Sequence, residues 1–284
     1  MSCEAAISGG FLMRGLMLNS LNGRYNLRNS ILSGLPPDEF DAIRPLLNPF
    51  HLRERAVLQE HKKRIQHVDF IESGIISSRT VASGSILETA MLGFRGATGI
   101  SVTLGWNQSL CQTTVVAAGT ALRIDVDDLQ RVMRAHPVIR EHLLRHVHAL
   151  IVHTAQNALC GTRHKLEQRM ACWLSLAHNA LGGCVLPITH DDLSIMLGLR
   201  RASVTEALSR FESRGLIRKT RGVIELTDCG SLKQMACVCF HIIENAYLAA
   251  DSFCRSGKEV TPYGTARQIL QQPVLEDVPL HRGN

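Results

Sequence analysis

The densest chemistry in the chain lies between Arg200 and Arg221. Seven basic side chains (Arg200, Arg201, Arg210, Arg214, Arg218, Lys219 and Arg221) stand there against two carboxylates, Glu206 and Glu212. The resulting charge of +5 nearly equals the +6 of the whole chain. Guanidinium groups present planar forks of donors that match phosphate oxygens, so such a run selects anions. Other candidates offer less. Cys237-Val-Cys239 is a closely spaced thiol pair, too few ligands by itself for a tetrahedral ion, and reads as helix packing. His142 and His146 stand one helical turn apart; on a long helix shared with His148 and His153 they read as solvated. His51, His61 and His67 have no metal-binding spacing. No serine–histidine–acid set or catalytic carboxylate pair declares itself, and neither a dinucleotide fingerprint nor a Walker loop occurs. These residues predict a non-enzyme with no metal and no cofactor.

The elements that must position the basic run follow from length and pattern. At 284 residues, 45% hydrophobic and 20% charged, the chain has the size of two ordinary domains and the composition of a soluble globular protein. No run reaches the roughly 18 apolar residues of a spanning helix. Glu4 and Arg14 interrupt the secretory pattern hinted at by Phe11 to Leu18, so the expected location is cytoplasmic, with no membrane partner. Nine cysteines, an odd number at irregular spacing, predict reduced thiols.

Residues 1–26 show no period and are expected to form a flexible arm. Pro36-Pro37-Asp38-Glu39 suits a helix entrance, and Phe40, Ile43, Leu46 and Leu47 continue at helical spacing until Pro49. Short β-prone stretches follow, among them His67–Ile71, Ile86–Met91, Ile100–Leu104 and Thr113–Val116, separated by glycines. They predict an antiparallel sandwich or barrel over 27–135 that could enclose a ligand. Residues 136–160 are expected to form one long helix. Its Leu143, Val147, Leu150 and Thr154, at 4-3-4 spacing with Leu144, Ile151 and Ala158 beside them, predict a homodimer seam.

Residues 161–230 carry the sharpest pattern. An amphipathic helix with Leu166, Met170, Trp173, Leu174 and Ala177 exits at Gly182-Gly183. Thr189 and Asp192 form the Asp version of a capping box, flanked by a staple of Ile188 with Leu193. Gly198 stops that helix. The next, from about Arg201 to Arg214, buries Val204, Leu208 and Phe211 and turns Ala202, Glu206, Ser209 and Ser213 outward. Leu216–Lys219 and Val223–Leu226 return as a hairpin around Arg221-Gly222. Helix, glycine turn, helix and wing make a winged helix-turn-helix, so the basic run has the geometry a DNA duplex requires. Residues 231–284 are expected to be a helical extension followed by a flexible tail from about Ser256.

The stretch from Thr189 to Ile217, continued through Arg221-Gly222 to Leu226, resembles the Crp–Fnr family of bacterial transcription regulators, the catabolite-activator type. Leu232 to Phe240 is similar to an extension seen in a subgroup common in α-proteobacteria. The resemblance spans residues 29–228. It implies an α+β chain: an N-terminal cyclic-nucleotide-binding-like jelly roll, a long dimerisation helix and a C-terminal winged helix-turn-helix. It also implies RNA polymerase as a partner and double-stranded DNA with an inverted repeat as the target. Carried over by position, Arg201, Ala202 and Glu206 would read bases; Ala202 and Glu206 depart from the best-known member's acidic residue and arginine. Arg200, Ser203, Ser209 and Arg210, with Arg218, Lys219 and Arg221 of the wing, would hold phosphate. Cyclic-AMP-binding members use a glycine–glutamate turn and a phosphate arginine. Residues 93–115 have no clear equivalent, which predicts a degenerate cassette and leaves the effector unknown. The competing reading is a metal-dependent or ligand-binding jelly roll whose winged helix docks protein; its exposed second helix would then be apolar or mixed.

Overall fold

The computed structural model describes residues 27–256; the expected arm at 1–26 and the tail at 257–284 lie outside the described residues. Two short helices come first, α1 (Ser30–Ser33) and α2 (Pro37–Ile43). Eight strands follow: β1 (Asn48–Leu52), β2 (Val57–Gln59), β3 (His67–Ile71), β4 (Ile75–Ala82), β5 (Ser85–Leu92), β6 (Ala97–Thr98), β7 (Gln112–Ala117) and β8 (Gly119–Asp125). They pair antiparallel as two four-stranded sheets, β1-β8-β3-β6 and β2-β7-β4-β5, the two layers of a jelly roll. Leu52, Ile71, Ile76, Leu92, Val115 and Ala121, drawn from both sheets, make the core between them, while Phe70 and Ile124 pack on the other face of their sheet with residues of α1 and of the helices that follow the strands.

Two sequence expectations fail locally. Ile100–Leu104 is a 3-10 turn, because Gly99 and Gly105 bracket it in left-handed backbone (φ 69° and 83°) and curl the segment; its Ile100 and Val102 still bury. The helix expected to run on to Pro49 ends at Ile43. Pro45 breaks the regular helix into a 3-10 turn, and Pro49 sits in strand β1 at a sheet edge, where a missing amide is tolerated.

Helix α3 (Val126–Ala135) leads into α4 (Pro137–Arg163), 27 residues opened by a proline at its first position. The winged module consists of α5 (Leu166–Leu181), β9 (Val185–Leu186), α6 (His190–Leu197), α7 (Arg201–Ser213), β10 (Ile217–Thr220) and β11 (Val223–Leu226). Its three strands pair in the order β10-β11-β9. Finally α8 (Cys229–Met235) packs on α5, and α9 (Cys239–Ser256) runs along α4.

The winged module is not a separate bead. Met170, Trp173, Leu174, Leu193, Val204, Leu208 and Phe211 share one apolar cluster with Ile75, Met91, Val116 and Ala117 of the jelly roll. At that seam the Trp173 indole donates to the Glu88 carboxylate at 2.7 Å. Burial raises the Glu88 carboxyl from 4.5 to about 7, against the hydrogen bonds from Ser77 and Trp173 and the charge of Arg79.

Helix α4 corrects the expected dimer seam. Leu143 and Val147 are buried in the chain's own core beside α1 and α3, Leu150 is half-buried, and of that stripe only Thr154 is exposed. The outward strip is rotated by one position: Ile151 is 60% exposed and Leu159 43%, with Ala155 and Ala158 beside them. The histidines expected to be solvated are mostly interior. His142, His146 and His153 are buried, while His148 is exposed. The His142 Nε2 lies 2.9 Å from the Ile31 carbonyl, and His153 Nδ1 lies 3.3 Å from the Tyr247 hydroxyl of α9. Burial lowers His146 to about 3 and His153 to about 4.

Candidate nucleic-acid interface

Helix α6 is set by the reciprocal cap read from sequence. The Asp192 amide donates to Thr189 Oγ1 at 3.1 Å, and the Thr189 amide donates to Asp192 Oδ2 at 3.0 Å. Ile188 and Leu193 are both buried around that cap, as a staple requires. A cap of this kind stabilises a helix by about 1 kcal/mol, enough to fix the entry angle of an eight-residue element. Gly198 then leaves in left-handed backbone at φ 61°, and α7 begins three residues later.

Helix α7 buries Val204, Ala207, Leu208 and Phe211 against the core, which leaves Arg201, Ala202, Thr205, Glu206 and Ser209 exposed. Arg200 stands beside them at the cap, and Ser203 is half-buried. The wing hairpin, β10 to β11, closes at Arg221-Gly222, where Gly222 adopts φ 76°. Arg218 and Arg221 are exposed there. The exposed face of α7 is polar and flanked by cations.

Carboxylates outside the 200–221 run also reach this face: Glu167, Asp191 and Glu225. Arg201 Nε lies 3.1 Å from Asp191 of α6. Arg210 is gripped at 2.6 Å by Glu167 of α5 and at 2.6 Å by Glu206, one turn earlier on α7. Those carboxylates, Glu167 first, hold the Arg210 guanidinium above its ordinary range. Arg214 also reaches Glu167 at 3.4 Å, and Arg218 lies 3.5 Å from Glu225 across the wing.

Lys219 is placed differently from the phosphate contact expected of it. Its ammonium donates to Ser209 Oγ at 3.0 Å and pairs with Glu212 at 3.0 Å, while its amide donates to Glu212 at 2.9 Å. These contacts hold Glu212 below the usual carboxylate range. Its side chain is only 19% exposed, so it braces the wing onto α7. Arg200 and Arg221 are exposed and pair with no carboxylate among the described residues. His190, at the start of α6, contacts the Thr205 hydroxyl at 3.0 Å. Desolvation first, then Lys219 and Arg201, keep its imidazole below the usual value.

Residues 93–115 contain no acidic side chain. Their one basic residue, Arg95, lies 3.4 Å from Asp251 of α9 and within cation–π range of Phe94. Two cavities flank this turn: one of about 50 Å³ lined by Phe94, Arg95, His153, Asn179 and Tyr247, and an open one of about 1020 Å³ lined by Arg28, Ser30, Phe94, Arg95, Thr120 and Asp251. Helix α9 lies against both.

Two groups of metal-ligating side chains come together elsewhere. Cys237 and Cys239, two ligands short in sequence, lie with Cys160 and His164; His178 lies with Cys184 and Cys229. Among the described residues no helix is long and apolar enough to cross a membrane.

Comparison with known proteins places residues 168–235 in a Crp-like helix-turn-helix domain. A transcriptional regulator of Thermus thermophilus, SdrP, is 37% identical over 78 residues, which cover 25% of this chain and 39% of that protein. The chain thus matches about two fifths of the length of that curated relative. Solved structures share most of the architecture. A Crp/Fnr-family regulator from Eubacterium rectale superposes with a TM-score of 0.56 at 17% identity, covering 72% of this chain and 96% of that one. FixK2 from Bradyrhizobium japonicum gives 0.58 at 16% identity, covering 68% and 98%. At these identities the likeness establishes the fold: a Crp/Fnr-type α+β chain with a helix-turn-helix.

Proposed function

We propose that this chain, a Crp-like helix-turn-helix domain on a Crp/Fnr-type fold, is a sequence-specific transcriptional regulator that binds DNA as a homodimer. The observation that carries the reading is the exposed face of α7, polar and cation-flanked, set by a capped α6 and followed by a wing with Arg221 at its tip. A protein-docking face would be apolar at its centre; this one offers Arg201, Ala202 and Glu206.

In this reading α7 enters the major groove. Arg201 donates to guanine and Glu206 accepts from cytosine, each contact discriminating by about 1–3 kcal/mol. Both side chains must first exchange a protein partner, Asp191 and Arg210 respectively. Exposed pairs of this kind are worth about 0–1 kcal/mol, so the exchange costs little. Arg200, Ser203, Arg218 and Arg221 hold the backbone and set register without reading sequence. Ser209, Arg210 and Lys219 brace the recognition helix against α5 and the wing.

The dimer forms along the outward strip of α4, where Leu144, Ile151 and Ala158 recur every seventh residue, the spacing of a helix-to-helix seam. RNA polymerase is the expected protein partner, as activation or repression at a promoter requires. The jelly roll serves as a sensor-like body that does not take cyclic AMP, a reading supported by residues 93–115, which carry no carboxylate and a single arginine held by Asp251. Selection of bound fragments from sheared genomic DNA tests the function: the expected product is an inverted repeat with half-sites about 34–36 Å apart. Fragments with no shared symmetric motif would refute sequence-specific dimeric binding.

A further inference from the structure

The last turn of α4 and the first turn of α9 meet in a compact set of soft ligands. Cys160, His164, Cys237 and Cys239 bring one ligand atom each to a point where all four lie within 4.8 Å of one another. The Cys160 and Cys237 sulfurs are 3.4 Å apart, and Cys239 Sγ is 3.6 Å from His164 Nδ1. A zinc ion with Zn–S of about 2.3 Å and Zn–N of about 2.0–2.1 Å holds tetrahedral ligands about 3.5–3.8 Å from one another. The spacing is therefore that of a single ion. A cubane iron–sulfur cluster carries its four thiolates on separate irons, which demands more distant donors and commonly four cysteines. A disulfide between Cys160 and Cys237 would need sulfurs about 2.05 Å apart.

We propose that Cys160, His164, Cys237 and Cys239 form a tetrahedral zinc site that pins the C-terminal extension to the end of the long helix. The local fold supplies what such a site needs. Cys160 stands in the last turn of α4 and His164 is the extended residue that caps it, so both come from the same helix end. Cys237 and Cys239 straddle the N-terminus of α9, whose unpaired amides and dipole favour thiolate. Lys233, over the Phe240 ring, adds a cation beside a centre with three thiolates, one imidazole and one divalent ion. The three cysteines are buried, and half-buried His164 leaves an entry path. Cys172 of α5 packs on the same cluster without joining the four-atom set.

The position gives the ion a structural consequence. Residue 160 lies three residues before α4 ends and six before the winged module begins at Leu166. Zinc here ties the end of α4 to the start of α9 at the joint, with Cys172 of α5 packed beside them. The extension that it anchors covers His153 through Tyr247 and engages Arg95 through Asp251. The trio of His178, Cys184 and Cys229 makes a weaker case, since His178 Nδ1 already lies 3.0 Å from the Gly183 carbonyl.

Elemental analysis of untagged full-length protein, purified under reducing conditions without chelator, tests the site. The expected result is one zinc per chain, lost in Cys237→Ser and His164→Gln, and kept in Cys172→Ser and Cys229→Ser. Because a ligand variant can fail to fold, protein stripped by chelator is also titrated with cobalt(II). Sulfur-to-cobalt charge transfer with tetrahedral d–d bands, saturating at one equivalent and reversed by zinc, supports the proposal. Stripped protein should also show faster amide exchange across α9. Wild-type protein with no zinc and no cobalt spectrum overturns it. So does iron in place of zinc, or zinc retained when Cys237 and Cys239 are both serine.

Discussion

Replacing Glu88 with glutamine should stabilise the protein in a way that grows with pH. Glu88 sits on β5 under α5, with its carboxyl accepting from Trp173 Nε1 at 2.7 Å. Desolvation raises it from 4.5 to about 7. Between those values the folded protein holds a proton that the unfolded chain has released, so stability falls as pH rises from about 4.5 to about 7 and is level above that. A shift of that size, at 1.36 kcal/mol per pH unit, amounts to about 3 kcal/mol. Glutamine keeps the acceptor for Trp173 and cannot ionise. The buried histidines bend the curve the other way. With His146 lowered to about 3 and His153 to about 4, stability from them is lost as pH falls below about 6.5. That term is common to both proteins and cancels in the difference. Urea melts followed by tryptophan fluorescence should show Glu88→Gln close to wild type near pH 5 and more stable by about 2–3 kcal/mol near pH 8. Melting curves offset by a constant at every pH would refute the buried, proton-holding carboxyl.

Arg201→Ala should relax sequence preference at one base position of the selected repeat, at a cost of about 1–3 kcal/mol. Arg221→Ala should weaken all sequences alike and reduce the salt slope of binding by about one, measured by titration across salt concentrations. Lys219→Ala should lower the thermal stability of the winged module more than it changes that slope, since Lys219 is tied to Ser209 and Glu212; a slope change equal to that of Arg221→Ala counts against the bracing role. Ile151→Asp should give a monomer by light scattering at micromolar concentration, where wild type runs at twice the chain mass. Saturating cyclic AMP should leave the DNA titration unchanged.

The winged module was legible because its signals are local. A threonine with an aspartate three residues on, a staple across the cap and a glycine stop are set by a dozen neighbouring residues, and the structure keeps each of them. The jelly roll was legible as a class, because short alternating runs between glycines admit few other solutions. Its Ile100–Leu104 segment was not. Five β-prone residues in a row say strand, but left-handed glycines at both ends turn the backbone before it can pair. The long helix shows a different limit. A 3.6-residue period finds an apolar face without saying what covers it. Leu143 and Val147 meet α1 and α3, and α9 covers His146 and His153 from the other side, so the open strip lies one position away. The ligand cluster was illegible for the same reason: 77 residues separate Cys160 from Cys237, and only the return of α9 along α4 joins them.

The basic run carries a further lesson about reading charge. In sequence it is a sum, seven cations against two carboxylates. In three dimensions Glu167, Asp191 and Glu225 come in from α5, α6 and β11, and five of the seven cations acquire partners. This neutralisation does not contradict a nucleic-acid face, because the pairs differ in kind. Arg201, Arg214 and Arg218 are each more than half exposed at the side chain, where solvent screens the pair and a phosphate competes on even terms. Lys219 and Arg210 are more enclosed: Lys219 joins the wing to Ser209 and Glu212 of α7, and Arg210 joins α7 to Glu167 of α5. Under the proposed function the run is divided between cations that hold the reading helix still and cations left to meet the duplex. Arg200 and Arg221, at the helix entrance and the wing tip, mark the two ends of the second group. A rigid helix with its cations at the margins loses less entropy on docking than seven free side chains would, so in the proposed complex the carboxylates around α7 would aid recognition by limiting its motion.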